Sequence, residues 1–264
     1  MLENITLGII QGVFEWLPVS SEGLIVLAKT HLFHSHMRFE SMIKLALFLH
    51  LGTFLAALIY FHKDVIEMFT GMLKFQSQSK ETQNLISFLA LSTVISCGLG
   101  IVLIKTVDYF AASAESSGRL ITFLVGLLLL GTAYLELKAD KSGRRNLRDI
   151  TISDGIILGV VQGFAVLPGF SRSGLTISTL LLRKFDKTHS LKLSFLMSLP
   201  VVLAGNIVLN WQMFPWSASA SAGLACSFVF GLLTIHGLLK LAQKINFGLF
   251  VLAFGLLTIL ASFL

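Results

Sequence analysis

Pro168-Gly-Phe-Ser-Arg-Ser173 sits inside an apolar run that extends from Ile150 to Leu182, and the reading of that interruption decides the fold. A proline removes one helix hydrogen bond and clashes with the preceding turn, so the run is not one straight helix. Its setting is that of a membrane protein. The chain has 264 residues, 55% hydrophobic and 13% charged, with a mean hydropathy of +0.83, whereas a soluble domain carries about a quarter charged residues. Non-helical backbone at membrane depth persists only where it is buried in protein or lines a cavity. The segment therefore reads as helix, break, helix: a re-entrant hairpin with an arginine in its turn.

A second stretch, Leu7-Ala28, has the same character and is broken around Pro18-Val-Ser-Ser21. Leu7-Gly-Ile-Ile-Gln11-Gly12 parallels Leu158-Gly-Val-Val-Gln162-Gly163 at an offset of 151, and Ser20-Ser-Glu-Gly-Leu24 parallels Ser171-Arg-Ser-Gly-Leu175 at the same offset. A one-residue shift is needed around Pro18 and Pro168. Both copies carry a GxxxG pair, Gly8/Gly12 and Gly159/Gly163, which lets helices approach closely.

Six further stretches are long and apolar enough to span: Phe39-Phe61, Leu85-Lys105, Arg119-Leu137, Ser190-Leu209, Ser219-Leu239 and Phe247-Leu264. About 20 apolar residues cross a hydrocarbon core roughly 30 Å thick. Three spans follow each hairpin, so the two hairpins enter from opposite sides, as in transporters built from inverted repeats. The expected architecture is an all-α polytopic membrane protein forming one domain, 1–264. Residues 4–137 make a first repeat and 150–264 a second, each a re-entrant hairpin plus three transmembrane helices. Asn4-Leu17 lacks the basic start and small-residue cleavage site of a signal peptide.

The net charge of +6 does not point to nucleic acid, because the basic residues fall in short loops. Lys63, Lys74 and Lys80; Lys138, Lys141, Arg144, Arg145 and Arg148; Arg183, Lys184 and Lys187; and Lys240 and Lys244 all belong to one side. The other side has Lys29, Arg38, Lys105 and Arg119, with no Lys or Arg in the Trp211-Trp216 loop. The positive-inside rule then puts both termini outside. Cys97 and Cys226 lie within apolar segments and read as packing residues.

Arg172 is the leading candidate for function. A charge at membrane depth marks a functional site by default, its planar fork suits phosphate oxygens, and a helix restarting after it would favour an anion. The plainer role is an ion pair with Glu15. Glu15 lies one turn after Gln11 and serves either as a general base or as a ligand for a divalent cation, with Gln11 positioning the ligand or a metal-bound water. Gln11 also fits plain interhelical hydrogen bonding. Ser20 and Ser21 read as a nucleophile or as helix caps, Glu22 as a first-turn acid, and Thr176 as a phosphate donor or a hydroxyl satisfied by its own helix. His31, His34 and His36 read as solvated loop residues, and His50 as a core residue.

At these residues the chain resembles the undecaprenyl-diphosphate phosphatase family, membrane enzymes associated with bacitracin resistance. The resemblance is densest at Gly8-Ser21, His50-Leu-Gly-Thr53, Pro168-Thr176 and Ser194-Phe-Leu-Met-Ser-Leu-Pro200. It implies hydrolysis of undecaprenyl diphosphate to the lipid carrier of cell-wall peptidoglycan synthesis, aided by a divalent cation (Mg2+ or Ca2+), at the outer face of a bacterial inner membrane. It implies Gln11, Glu15, Ser20, Ser21 and Arg172 as catalytic residues. Ser171, Arg172, Ser173 and Thr176 would bind phosphate, and Glu15 and Gln11 the cation. The expected partners are a polyprenyl diphosphate lipid and membrane lipids, with a homodimer left open and no nucleic acid. Two departures from the family pattern matter: Gln11 stands at its first acidic position, a variation the pattern allows, and Leu24 stands where a His is usual, with Glu22 just before it in place of a small or hydroxyl residue. A transporter or flippase for phosphorylated polyprenyl lipids, or a binding paralogue, is the alternative from another class.

Overall fold

The structure is a computed structural model and describes residues 1–34, 39–113, 118–139, 143–210 and 217–263. His36, Arg38, Lys141 and the Trp211-Trp216 loop lie outside the described residues. The first hairpin consists of α1 (Leu2–Phe14) and α2 (Ser21–Leu27), which a π turn prolongs to Leu32. Then come α3 (Phe39–Tyr60), α4 (His62–Leu73), α5 (Lys80–Ser113) and α6 (Gly118–Lys138). The second hairpin, α7 (Ile152–Phe164) and α8 (Arg172–Leu182), precedes α9 (Lys187–Asn210), α10 (Ala218–Lys244) and α11 (Gly248–Ala261).

Helices α3, α5, α6, α9 and α10 are long and apolar enough to cross a bilayer. The sixth expected span, Phe247-Leu264, holds α11, an apolar helix of 14 residues. It runs along α6, with Gly248 against Leu137, Ile259 against Gly126 and Phe263 against Phe123. Helix α4 is an element the sequence reading did not anticipate. Its exposed Ile66, Phe69, Met72 and Leu73 beside Lys63 and Glu67 are the pattern of a helix lying along a membrane surface.

Both breaks fall where proline stops the first half-helix, and each reverses the chain through one left-handed residue. In the first it is Ser20, at φ 60; in the second it is Gly169, at φ 110. A β-carbon at Gly169 would lie 2.6 Å from the Val125 carbonyl, so this position needs glycine for both conformation and space. Placing the extra left-handed glycine after Pro168 accounts for the one-residue shift between the copies.

Small residues then bring the helices together. A β-carbon at Gly8 would lie 2.1 Å from the Gly223 carbonyl, so α1 and α10 touch backbone to backbone. Helix α7 packs on α5 through Gly159 and Gly163, which face Ile95 and Leu99. Each hairpin's first helix thus rests on a long helix from the other half of the chain.

Polar contacts fix which ends of the bundle carry which loops. Asn4 donates to Ser219 at 3.0 Å, and Glu3 pairs with Lys29 at 2.6 Å. The mouth of the first hairpin therefore sits at the start of α10. Lys187 bonds the Gln243 carbonyl, and Asp154 is gripped by Arg145 (2.7 Å) and Arg183 beside the Arg145–Phe185 bridge. Arg148 pairs with Glu81 at 3.2 Å. The mouth of the second hairpin thus sits at the end of α10, together with the basic loops around residues 80, 145, 184 and 244. Helix α10 has 27 residues, about 40 Å, so the mouths lie a membrane's width apart. Arg145, Arg183 and Lys29, read from the sequence as loop charges, are also structural: each is an ion-pair partner that closes a hairpin mouth.

Candidate functional site

The two breaks meet in the interior. Ser20, the N-cap of α2, accepts from the Gly23 amide at 3.1 Å and donates to the Phe170 carbonyl of the other break at 3.3 Å. Ser171 caps α8 in the same way, accepting from the Gly174 amide at 3.1 Å. Ser173 reaches back to the Leu17 carbonyl at 3.1 Å. The repeated serines thus cap each half-helix and stitch one hairpin to the other.

Glu15, at the C-cap of α1, is the hub. Its Oε1 accepts from Arg172 Nη2. Its Oε2 accepts from Gln11 Nε2 at 2.8 Å and Ser21 Oγ at 3.0 Å, and lies 3.1 Å from His50 Nε2. Arg172 also donates to the Ser194 carbonyl at 3.2 Å, and its guanidinium lies 5.8 Å from the Phe195 ring centroid. Two of its five N–H groups are engaged with protein, which leaves three for a ligand. The ion pair with Glu15 and anion binding by Arg172 are therefore compatible.

These side chains wall a polar chamber of about 270 Å³ that includes Glu15, Ser20, Ser21, Ser171, Arg172 and Ser173. An apolar groove of about 760 Å³ adjoins it, running past Ile101, Ile104, Val201 and Val208 between α5 and α9. Chamber and groove share four wall residues: Glu22, His50, Ala165 and Arg172.

Two expected site residues stand elsewhere. Gln11 is fully buried behind Glu15, bonded to it and to Thr53 at 3.3 Å. Thr176 donates to the Arg172 carbonyl at 2.8 Å and pairs with Ser194 Oγ at 2.7 Å, so its hydroxyl is satisfied within and beside its own helix. His50 and Glu22 are the reverse case. The sequence reading took one for a core residue and the other for a first-turn acid, and both face the chamber. The available signal was the His50-Leu-Gly-Thr53 spacing, because Gln11 bonds Thr53 one turn from His50.

The divalent cation expected on Glu15 and Gln11 does not fit this arrangement. Both Glu15 oxygens are taken by hydrogen-bond donors, with a guanidinium and an imidazole beside them. Gln11 Oε1 has no partner, but a lone amide oxygen with no free Glu15 oxygen beside it falls short of the one or two carboxylates that hold such a cation together with its waters. Among the described residues no group of three or more His, Cys, Asp or Glu is placed to hold a metal.

The profile of a protein family described as bacitracin resistance protein BacA matches residues 4–260. The chain belongs to the BacA family. Full-length relatives agree. A protein of Methanococcoides burtonii named undecaprenyl-diphosphatase is 39% identical, the match covering 99% of this chain and 98% of the relative. Proteins of the same name from Haloarcula marismortui and Christiangramia forsetii are 37% and 34% identical, each over 100% of this chain and 98% of theirs. The candidate site of this BacA-family chain is a convergence of its two hairpins, with Glu15 and Glu22 contributed by the first and Arg172 by the second.

Proposed function

We propose that this multi-pass membrane protein hydrolyses undecaprenyl diphosphate to undecaprenyl phosphate. The observation that carries the reading is the junction of chamber and groove. A diphosphate head needs a cationic, donor-rich pocket, a polyprenyl tail needs an apolar trough, and here the two meet at Arg172. The name shared by the full-length relatives supports the same reaction.

Arg172 and the Ser171-capped start of α8 hold the terminal phosphate, since N–H groups at a helix start and a guanidinium fork both favour its oxygens. Ser21 is the nucleophile: its hydroxyl donates to Glu15 Oε2 at 3.0 Å, the geometry of a hydroxyl beside its base. Ser20 is committed to capping and to Phe170. Glu15 takes the Ser21 proton, while Arg172 compensates the charge that develops on the phosphoryl oxygens.

The similar sequences of the two breaks, the exchanged packing of α1 on α10 and α7 on α5, and the opposite hairpin mouths support an inverted repeat with units 4–137 and 150–264. The basic loops gathered at one end of the bundle support placing that end in the cytoplasm. Both termini and the mouth of the first hairpin then face outward across the plasma membrane.

The test is release of inorganic phosphate from undecaprenyl diphosphate by the purified protein in detergent, with and without a chelator. Release in both conditions is expected. Absence of release, with transfer of the intact lipid across a proteoliposome bilayer, would replace the phosphatase reading with a flippase one.

A further inference from the structure

In a lipid diphosphate the oxygen that must leave is the bridge between the terminal phosphate and the lipid-linked phosphate. If the terminal phosphate lies in the chamber and the tail in the groove, the bridge lies where the two adjoin. Of the four residues common to both walls, Ala165 has no chemistry and Arg172 does not release its protons. Glu22 and His50 remain.

The hydrogen bonds of His50 say which of the two carries the proton. Its Nδ1 lies 2.7 Å from the Ala46 carbonyl, which can only accept, so Nδ1 bears a hydrogen. Its Nε2 lies 3.1 Å from Glu15 Oε2, an oxygen that already accepts from Gln11 and Ser21. An Nε2 lone pair facing that oxygen would be repulsive, so Nε2 bears a hydrogen too. Glu22 Oε1 stands 4.0 Å from Nε2, and Glu22 Oε2 is buried without a partner. The charged and titratable groups facing the imidazole are thus Glu15 from the first break, Glu22 from α2 and Arg172 from α8, with the Cys97 thiol of α5 in the groove wall they share.

We propose that His50 is the general acid of this chain, donating its Nε2 proton to the bridging oxygen, with Glu15 and Glu22 as the carboxylates that hold the imidazole charged. The inference rests on the phosphatase reading above. As Ser21 Oγ bonds to the terminal phosphorus, its proton passes to Glu15. The bond from phosphorus to the bridging oxygen breaks, and that oxygen keeps the electron pair and takes the Nε2 proton. Water then attacks the phosphoserine, giving its proton to Nε2 while Glu15 returns its own to Ser21, and inorganic phosphate leaves. Both protons and both residues are restored. The arrangement needs no imidazole from α2, where Leu24 is half-buried and outside the chamber wall.

The test uses purified full-length protein and undecaprenyl diphosphate in detergent, comparing wild type with His50→Gln and His50→Ala. Glutamine keeps an amide donor toward Glu15 but has no transferable proton. His50→Gln is expected to lower kcat roughly 10²-fold or more, to leave KM within about twofold, and to abolish the fall of kcat at high pH. Added imidazole is expected to restore part of the rate of His50→Ala. A His50→Gln kcat within about threefold of wild type overturns the proposal. So does a lower kcat with the pH profile unchanged and no imidazole rescue, which would mark His50 as structural. A wild type that releases no phosphate contradicts the phosphatase reading itself and this inference with it.

Discussion

The two hairpins share a scaffold and differ in chemistry. Both run helix, break, capping serine, helix, and both caps close on a glycine amide at 3.1 Å. At the position where the second hairpin carries Arg172 the first carries Ser21, and Ser173 is matched by Glu22. Glu15 lies in the first break, and the second break has no acid. On the proposed reading the second hairpin is the anion clamp and the first the proton-handling side, and neither is a site alone.

If the division of labour is right, substitutions in the two copies should fail differently. Ser21→Ala removes the nucleophile and is expected to lower kcat by at least ~10³-fold with little change in KM. Arg172→Lys keeps the charge but loses the planar fork; a loss of about 10²–10³-fold appearing in both kcat and KM is expected. Kinetics of the two purified variants check this, and identical kcat/KM patterns would dissolve the distinction between clamp and nucleophile.

The reversals themselves are expected to differ in what they tolerate. Gly169→Ala forces a β-carbon toward the Val125 carbonyl at a left-handed φ and should destabilise by about 3 kcal/mol. Ser20→Gly relieves the same kind of conformation while giving up a cap, so its net effect should stay within about 1 kcal/mol. Thermal unfolding in detergent measures both, and equal losses would mean that the two breaks reverse the chain by the same device.

What was legible in the sequence follows from range. The hairpins announced themselves through proline and clustered serine inside apolar runs, a local signal, and Arg172 through the cost of a charge at membrane depth. Helix α4 was passed over because its apolar residues are interspersed with His62, Lys63, Asp64 and Glu67, which lower the average. His50 looked like core because the acids that give it a role, Glu15 and Glu22, come from an element 28 to 35 residues away in the chain, and no periodicity reports such a meeting. For Gln11 and Thr176 the choice between ligand and hydrogen-bonded hydroxyl or amide stayed open for the same reason: their partners Thr53 and Ser194 belong to other helices.

The central claim is that a residue from each hairpin completes one site, and the Glu15–Arg172 pair tests it most directly. Thermal unfolding of Glu15→Gln, Arg172→Gln and the double variant forms a cycle. Each single change strands a buried charge and should cost about 3–5 kcal/mol, whereas the double variant removes both charges and should be no less stable than either single one. Losses that simply add, within about 0.5 kcal/mol, would contradict the account, because they would mean that the two hairpins do not meet at these residues.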